Sequence, residues 1–317
     1  MIKVFSAPIQ GYTDCTWRNA HSTVFAGSVE RYYAPFLRLE KGAFRNKDLR
    51  DIAPEENTSY CLVPQAIACP HEQFAIIIDK IASMGYGEID INMGCPFPPM
   101  TKRHCGAGIL PYPNEVAAML AVTKNYPGIK FSIKMRLGLE SPDDWQALMP
   151  IIGEIKPVHV TMHPRTARQQ YGGEIDMAQF QRFYAQATFP VVYNGDLRTT
   201  ADIDRITSEF PDLRAIMIGR GLLANPALAT TQDGNTVKRV IELHNILFDT
   251  YKSRLCGDAH LLAKMKSLWE YFLSVAGSPK CRKKILKSTT IGKYVIATDD
   301  FWLSLDDVPF TGNDSAL

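Results

Sequence analysis

Eight short runs of apolar, β-branched and aromatic residues recur along the chain, most of them separated by stretches with helical periodicity. The runs are Lys3–Ala7, Ser28–Tyr33, Tyr60–Ile67, Glu88–Ile91, Lys130–Arg136, Val158–Met162, Pro190–Tyr193 and Arg214–Ile218. Between them, Pro70–Met84 places Phe74, Ile77, Ile78 and Ile81 on one side and is followed by Gly85 as a stop signal. Pro113–Lys124, Pro142–Ile155, Asp176–Ala187 and Thr199–Phe210 follow the same pattern. Strands alternating with helices pair in parallel, and eight of them match a closed (β/α)8 TIM barrel. An open doubly wound sheet is the alternative, but no GxGxxG follows the first strand. Residues 34–57 are charged and poorly periodic, and no crossover helix is predicted there.

The strand signal stops near Asn235. Beyond it, Thr236–Lys252 and Ala259–Ala276 read as amphipathic helices, followed by the basic segment Lys280–Lys287. A chain of 317 residues, 46% hydrophobic, is long enough for a large domain plus a small one. The expected division is a catalytic barrel over residues 1–235 and a small helical domain over 236–317. Charge follows the same division. Residues 1–234 carry 23 Lys and Arg against 24 Asp and Glu, residues 235–293 carry 12 against 4, and the last 24 residues hold five acids and no base. A near-neutral body with a basic appendage points to a polyanionic partner for the appendage, although a solvated helix face would carry charge in the same way.

No apolar run reaches membrane length, and the N-terminal apolar run is too short for a signal peptide. The seven cysteines (Cys15, Cys61, Cys69, Cys95, Cys105, Cys256 and Cys281) form no CxxC pair and no His/Cys cluster with zinc spacing. Reduced thiols, a cytoplasmic location, no structural metal and a monomer are the expectations.

In a barrel, functional groups come from the C-terminal ends of the strands and the loops beyond them. Strand one ends in Pro8-Ile9-Gln10-Gly11, strand three contains Gln65, and strand four delivers Asn92 and Cys95. Strand five carries Lys134 and Arg136, two apart and therefore on one face. Strands six, seven and eight end at His163-Pro164-Arg165, Asn194-Gly195-Asp196 and Gly219-Arg220-Gly221. Seven polar strand ends out of eight describe a site. Gly-containing turns after strands seven and eight, with Arg220 beside them, occupy the phosphate position of phosphate-binding barrels. Lys134 has three readings: a paired lysine, a Schiff-base nucleophile, or a cation beside a cofactor ring. Cys95 taken alone is packing or chemistry.

Taken together, these segments resemble the tRNA-dihydrouridine synthases of the FMN-dependent bacterial type. The matching stretches are Ala7-Pro8-Ile9-Gln10-Gly11-Tyr12-Thr13-Asp14, Pro64-Gln65, Asp90-Ile91-Asn92-Met93-Gly94-Cys95-Pro96 and Lys134-Met135-Arg136-Leu137-Gly138. His163-Pro164-Arg165-Thr166, Tyr171-Gly172-Gly173, Asn194-Gly195-Asp196 and Met217-Ile218-Gly219-Arg220-Gly221 continue the series in the family's order. Ile9, Gln10, Pro164 and Cys105 depart from the usual pattern, and Cys105 puts a second thiol near the site.

The resemblance implies FMN-dependent reduction of the C5=C6 bond of uridine in tRNA, with NADPH or NADH recharging the flavin. It makes Cys95 the proton donor to C5, and a largely protonated thiol suits that task. Lys134 would stabilise the anionic flavin, and Gln65 and His163 would hydrogen-bond its ring or ribityl chain. Pro8, Ile9 and Gln10 would back the ring. Asn194, Gly195, Asp196, Gly219 and Arg220 would hold the ribityl and phosphate. Asn92 and Arg165 would contact the uridine, and Arg282, Lys283 and Lys284 would contact tRNA phosphates. Tyr12, Phe97 and Tyr171 are candidates for stacking on displaced bases, or for packing. The competing readings are an FMN barrel acting on a free pyrimidine (a dihydroorotate or dihydropyrimidine dehydrogenase), a Schiff-base aldolase, and an RNA-binding module on an inactive barrel.

Overall fold

The computed structural model describes residues 2–230, 236–274 and 278–305. Its first elements are β1 (Val4–Ser6), α1 (Cys15–Val24), β2 (Arg31–Tyr33), α2 (Asn46–Asp51), β3 (Leu62–Val63), β4 (Gln65–Ile67), α3 (His71–Ser83), β5 (Glu88–Met93), α4 (Pro98–Thr101) and α5 (Pro113–Ala121). They continue with β6 (Lys130–Gly138), α6 (Asp144–Glu154), β7 (Val160–Thr166), α7 (Met177–Gln186), β8 (Val191–Tyr193), α8 (Thr200–Glu209), β9 (Ala215–Ile218) and α9 (Arg220–Ala224). The last four are α10 (Thr236–Arg254), α11 (Asp258–Leu268), α12 (Pro279–Lys287) and α13 (Ile291–Leu303).

The strands form one parallel sheet in the order β3-β2-β1-β9-β8-β7-β6-β5-β4. Only Pro64 separates β3 from β4, so the two ends of that order are halves of one strand, and the sheet closes into an eight-stranded barrel. The sequence predicts one continuous strand over Tyr60–Ile67. Proline has no N–H to give a ladder, and the chain changes partner there, from β2 to β5. The Pro64 carbonyl still accepts from the Asp90 N–H at 3.0 Å.

Period-2 alternation divides the apolar residues into two cores. Phe5, Ala7, Tyr33, Val63, Val192, Ala215 and Met217 fill the barrel interior. Their strand neighbours, such as Val4, Ile216 and Ile218, face the surrounding helices. There α3 buries Phe74, Ile77, Ile78 and Ile81 as its periodicity predicts, each worth roughly 1.5–3 kcal/mol. The poorly periodic stretch 34–57 holds only the six-residue α2 and a short 3-10 turn, neither with a buried residue. Outside those elements the stretch buries Phe36, Leu37 and Ile52 at irregular spacing, and polar ties add to this packing. The buried Arg18 donates to the carbonyls of Thr13 (2.6 Å) and Asp51 (2.5 Å) and to Asn57 Oδ1 (2.9 Å).

The helical region packs on α1, and its core is continuous with the outer core of the barrel, through Val240, Leu243, Leu247, Met265 and Trp269. Within it, the Tyr294 hydroxyl takes the Trp269 indole N–H at 2.8 Å and contacts His244 Nε2 at 2.7 Å. The helix predicted over Ala259–Ala276 ends at Leu268, and Ala276 lies outside the described residues. So do the expected boundary at residue 235 and three of the five C-terminal acids, Asp306, Asp307 and Asp314. The basic segment forms α12, with Ser278 as N-cap. Among the described residues, no helix is long and apolar enough to cross a membrane.

Candidate active site

A cleft of about 980 Å³, open at its mouth, lies at the C-terminal ends of the strands. Pro8, Ile9, Gln10, Gln65, Asn92, Cys95, Lys134, His163, Asn194, Gly195, Asp196, Gly219 and Arg220 all line it, together with Arg136, Tyr171 and Arg198.

Cys95 is held by a chain of hydrogen bonds that begins deeper in the barrel. Asp90 is fully buried and accepts from Ser132 Oγ and Gln65 Nε2, both at 2.6 Å. A carboxylate only accepts, so Gln65 must turn its amide nitrogen toward it. Gln65 Oε1 therefore faces Asn92 Nδ2 at 2.8 Å. Asn92 Oδ1 in turn takes the backbone N–H groups of Gly94 (3.0 Å) and Cys95 (2.9 Å). One buried acid thus sets two amide orientations and fixes the turn that carries the thiol. Behind the turn, Gly106 has a φ of +59°, and a Cβ there would come within 2.9 Å of Cys95 Cβ. Burial pushes the half-buried Cys95 thiol above its ordinary pKa, so it stays protonated at neutral pH.

Lys134 neighbours Asn92 in the β5–β6 ladder and has no hydrogen-bond or ion-pair partner among the described residues. Desolvation, reinforced by the charge of Arg136, lowers its pKa to about 8, against the pull of Asp90. Arg136 donates to the carbonyls of Gly94 (2.9 Å), Thr166 (3.0 Å) and Gln170 (2.7 Å), and burial lowers its pKa to about 10. The same-face spacing places Arg136 beside Lys134 in the cleft, a role that strand position alone does not assign. Desolvation, and then the charges of Arg136 and Lys134, hold His163 well below the ordinary histidine range. Arg165 donates to His163 Nε2 at 3.4 Å, which makes Nε2 an acceptor and leaves the ring proton on Nδ1.

At the ends of β8 and β9, Asn194 Nδ2 donates to the Met217 carbonyl at 2.7 Å. Asp196 accepts from Arg165 and Arg220, both at 2.6 Å. Burial raises the Asp196 pKa, but the Arg165 hydrogen bond and the two arginine charges outweigh it, leaving a net lowering. The half-exposed Tyr171 ring lies 4.8 Å from the Arg220 guanidinium and 5.6 Å from that of Arg136. Lys134, Arg136, Arg198 and Arg220 face one acid, Asp196, which two arginines already engage, so the lining favours an anion.

Three expectations need correction or sharpening. Arg165 does not line the cleft: it is 2% exposed, with its donors committed to Gly173 O, Asp196 and His163, and it braces the site from behind. Arg282 does not face solvent as Lys283 and Lys284 do. It turns inward onto the carbonyls of Phe272 (2.7 Å), Glu270 (2.9 Å) and Trp269, satisfying chain ends beyond α11. The exposed basic groove is formed instead by Lys280, Lys283, Lys284, Lys287 and Lys293 of α12 and α13, with Lys284 paired to Asp300 at 2.9 Å. Cys105 is buried off the cleft beside Cys69, its thiol donating to Arg103 O at 3.4 Å. Among the described residues, no group of three or more His, Cys, Asp or Glu could hold a metal ion.

A family model described as "Dihydrouridine synthase (Dus)" matches residues 5–287. A Staphylococcus aureus (strain Mu50) protein named probable tRNA-dihydrouridine synthase is 27% identical over 318 residues, covering 95% of this chain and 93% of its own. The tRNA-dihydrouridine synthase B of Pasteurella multocida is 22% identical over 284 residues, covering 89% and 82%. Among solved structures, a morphinone reductase mutant in complex with tetrahydroNAD superposes with a TM-score of 0.47 at 10% identity, over 71% of this chain and 85% of its own. That likeness is too distant to bear on function.

Proposed function

The chain belongs to the dihydrouridine synthase family, and from that premise we propose that it reduces the C5=C6 bond of specific uridines in tRNA to 5,6-dihydrouridine, using FMN and NADPH or NADH. The names of the curated relatives support tRNA as the substrate. The observation that carries the reading is a protonated thiol, Cys95, sharing one cationic cleft with the unpartnered Lys134.

The donor set fits a flavin mononucleotide. The cleft's net positive lining suits a phosphate and an anionic ring. A Cβ on Gly219 would lie 3.2 Å from Ile9 Cδ1 and 3.3 Å from Ala7 Cβ, so the chain at the proposed phosphate end leaves no slack for a side chain. When bound, the flavin supplies the hydride that adds to C6 of the uracil, and the nicotinamide restores it. Pro8, Ile9 and Gln10 back the ring. Gln65 and Asn92 each keep one amide hydrogen outside their mutual chain, available for ring or uracil oxygens. Neutral His163 donates from Nδ1. Lys134 balances negative charge on the ring. Asn194, Gly195 and Gly219 hold the ribityl and phosphate, with Arg220 aimed by Asp196 and Asp196 held by Arg165. Cys95 gives its proton to C5, completing a two-electron, two-hydrogen addition, and the thiolate is reprotonated from solvent. Lys280, Lys283 and Lys287 hold tRNA phosphates without reading sequence.

The test is incubation of the purified protein with tRNA and NADPH, followed by mass-spectrometric measurement of dihydrouridine. Dihydrouridine in tRNA, and none from free uracil or uridine, is expected. Reduction confined to free pyrimidines overturns the reading in favour of a free-pyrimidine FMN barrel.

A further inference from the structure

The loop that follows β1 supplies one wall of the cleft through Pro8, Ile9 and Gln10. It is a tight turn: the Ile9 N–H donates to Thr13 Oγ1 at 2.8 Å, the Tyr12 N–H donates to Ile9 O at 3.0 Å, and Gly11 has a φ of +87°. The loop's outer side is gripped by residues more than two hundred positions away in the helical region. Lys264 Nζ donates to Gly11 O at 2.8 Å and pairs with Asp14 Oδ2 at 2.9 Å, with its ammonium 4.8 Å from the Tyr251 ring centre. The Tyr251 hydroxyl donates to Asp14 Oδ1 at 2.6 Å, and Asp14 also caps α1 by accepting from the Trp17 N–H at 3.0 Å. The Tyr12 hydroxyl donates to Glu270 Oε2 at 2.5 Å, and its ring meets Tyr271 edge-on at 5.0 Å. All of these contacts converge on residues 11–14. A lysine side chain loses rotamer freedom when it is held this way, so a well-formed loop is what the contacts secure.

We propose that Lys264, seconded by Glu270 through Tyr12, is a positioning residue for the flavin: the helical region holds the β1 loop so that Pro8–Gln10 stand ready as the cofactor's wall. This rests on the reading of the cleft as an FMN site. The helical region that carries the basic groove on α12 and α13 therefore also shapes the cofactor site, through α10, α11 and the turn after α11.

The contact can be separated from simple domain adhesion. Arg254 also joins the helical region to the barrel, through Glu56 at 2.5 Å and Cys15 Sγ at 3.5 Å, but neither partner lies within residues 8–14 of the β1 loop. The experiment is FMN titration of the flavin-free full-length protein, without RNA, alongside its melting temperature. Lys264→Met should weaken FMN binding about tenfold, because the wall must then be ordered at the expense of binding energy. Lys264→Arg, which can reach both Gly11 O and Asp14, should restore affinity to within about twofold. Arg254→Met should lower the melting temperature and leave FMN affinity unchanged. Should Lys264→Met not fold, Tyr12→Phe serves in its place, with an expected loss of about threefold for one hydrogen bond. Wild-type FMN affinity in a folded Lys264→Met or Tyr12→Phe protein overturns the proposal while leaving the FMN reading intact. A wild-type protein that takes up no FMN overturns both.

Discussion

The cleft and the α12–α13 groove are both rich in positive charge, and they use it in opposite ways. In the cleft, charges are withdrawn from water, crowd one another and are individually placed: Lys134 is unpartnered, Arg136 reaches three carbonyls, and Arg220 and Arg165 share one aspartate. Along the groove, Lys280, Lys283, Lys284, Lys287 and Lys293 stand on two helix faces and line open space. Lys134 and Arg136 have displaced proton affinities, and the cleft's charges act at single atoms. Exposed ones act as a field that salt screens. Chemistry is local in the first region and additive in the second, so substitutions should differ in size and in kind.

The sharpest break comes from Cys95→Ala. Loss of a general acid should cut dihydrouridine formation by about 10²–10⁴-fold while NADPH oxidation by the flavoprotein persists. A variant keeping more than a tenth of turnover would return Cys95 to a packing role. Next in size, Lys280→Glu, Lys283→Glu and Lys287→Glu together should weaken tRNA binding about tenfold or more. They should also flatten the slope of log affinity against log salt by about 2, while NADPH oxidation without tRNA is unchanged. An unaltered salt slope places the RNA surface elsewhere. Arg282→Met sharpens the boundary between the two regimes. It sits among those lysines in sequence, yet it should cost about 2 kcal/mol of stability through its lost carbonyl contacts and change tRNA affinity less than about twofold. A large affinity loss with unchanged melting would reverse that assignment.

A separate contrast within the cleft concerns Lys134 and Asp90. In flavin-free protein, the Lys134 side chain should titrate near 8 by NMR, and Asp90→Asn should move that titration downward by removing the nearby negative charge. The folded pKa lies below the ordinary lysine value of 10.5. The stability cost of Lys134 is therefore full below about pH 8 and disappears as pH rises through 10.5. Lys134→Met should accordingly stabilise the flavin-free protein more at pH 7 than at pH 10, as measured by urea unfolding. Equal gains at both pH values would place Lys134 in a wetter site.

All eight strands and most of the barrel helices are legible in the sequence, because period 2 and period 3.6 both leave local traces. Pro64 shows the limit: a proline inside an apolar run reads as a defect, whereas it marks the joint where the barrel closes. Residues 34–57 are illegible for a different reason, since the apolar anchors Phe36, Leu37 and Ile52 fall at no regular period and the hydrogen bonds from Arg18 have none either. Strand-end position brought thirteen predicted residues into one cleft. It could not tell Arg165, buried behind the cleft, from Arg220, which lines it, although both bond Asp196, because strand pattern carries no rotamer. Nor could composition separate Arg282 from its lysine neighbours, since a basic run does not say which member caps a chain end. The helix α13 buries Tyr294, Ala297, Thr298 and Phe301 at helical spacing, but the exposed apolar Val295, Ile296 and Leu303 on its other side blur that period in the sequence.

The grip on the β1 loop also has a consequence in time. During synthesis, the first wall of the cleft leaves the ribosome well before the residues that steady it, Glu270 following Tyr12 by 258 positions. At translation speeds of ~5–20 residues per second, that wall waits tens of seconds for its outer brace. A nascent barrel therefore has its β1 loop braced only after α10 and α11 have folded against it, and a chain truncated before Lys264 would carry most of the lining without that brace.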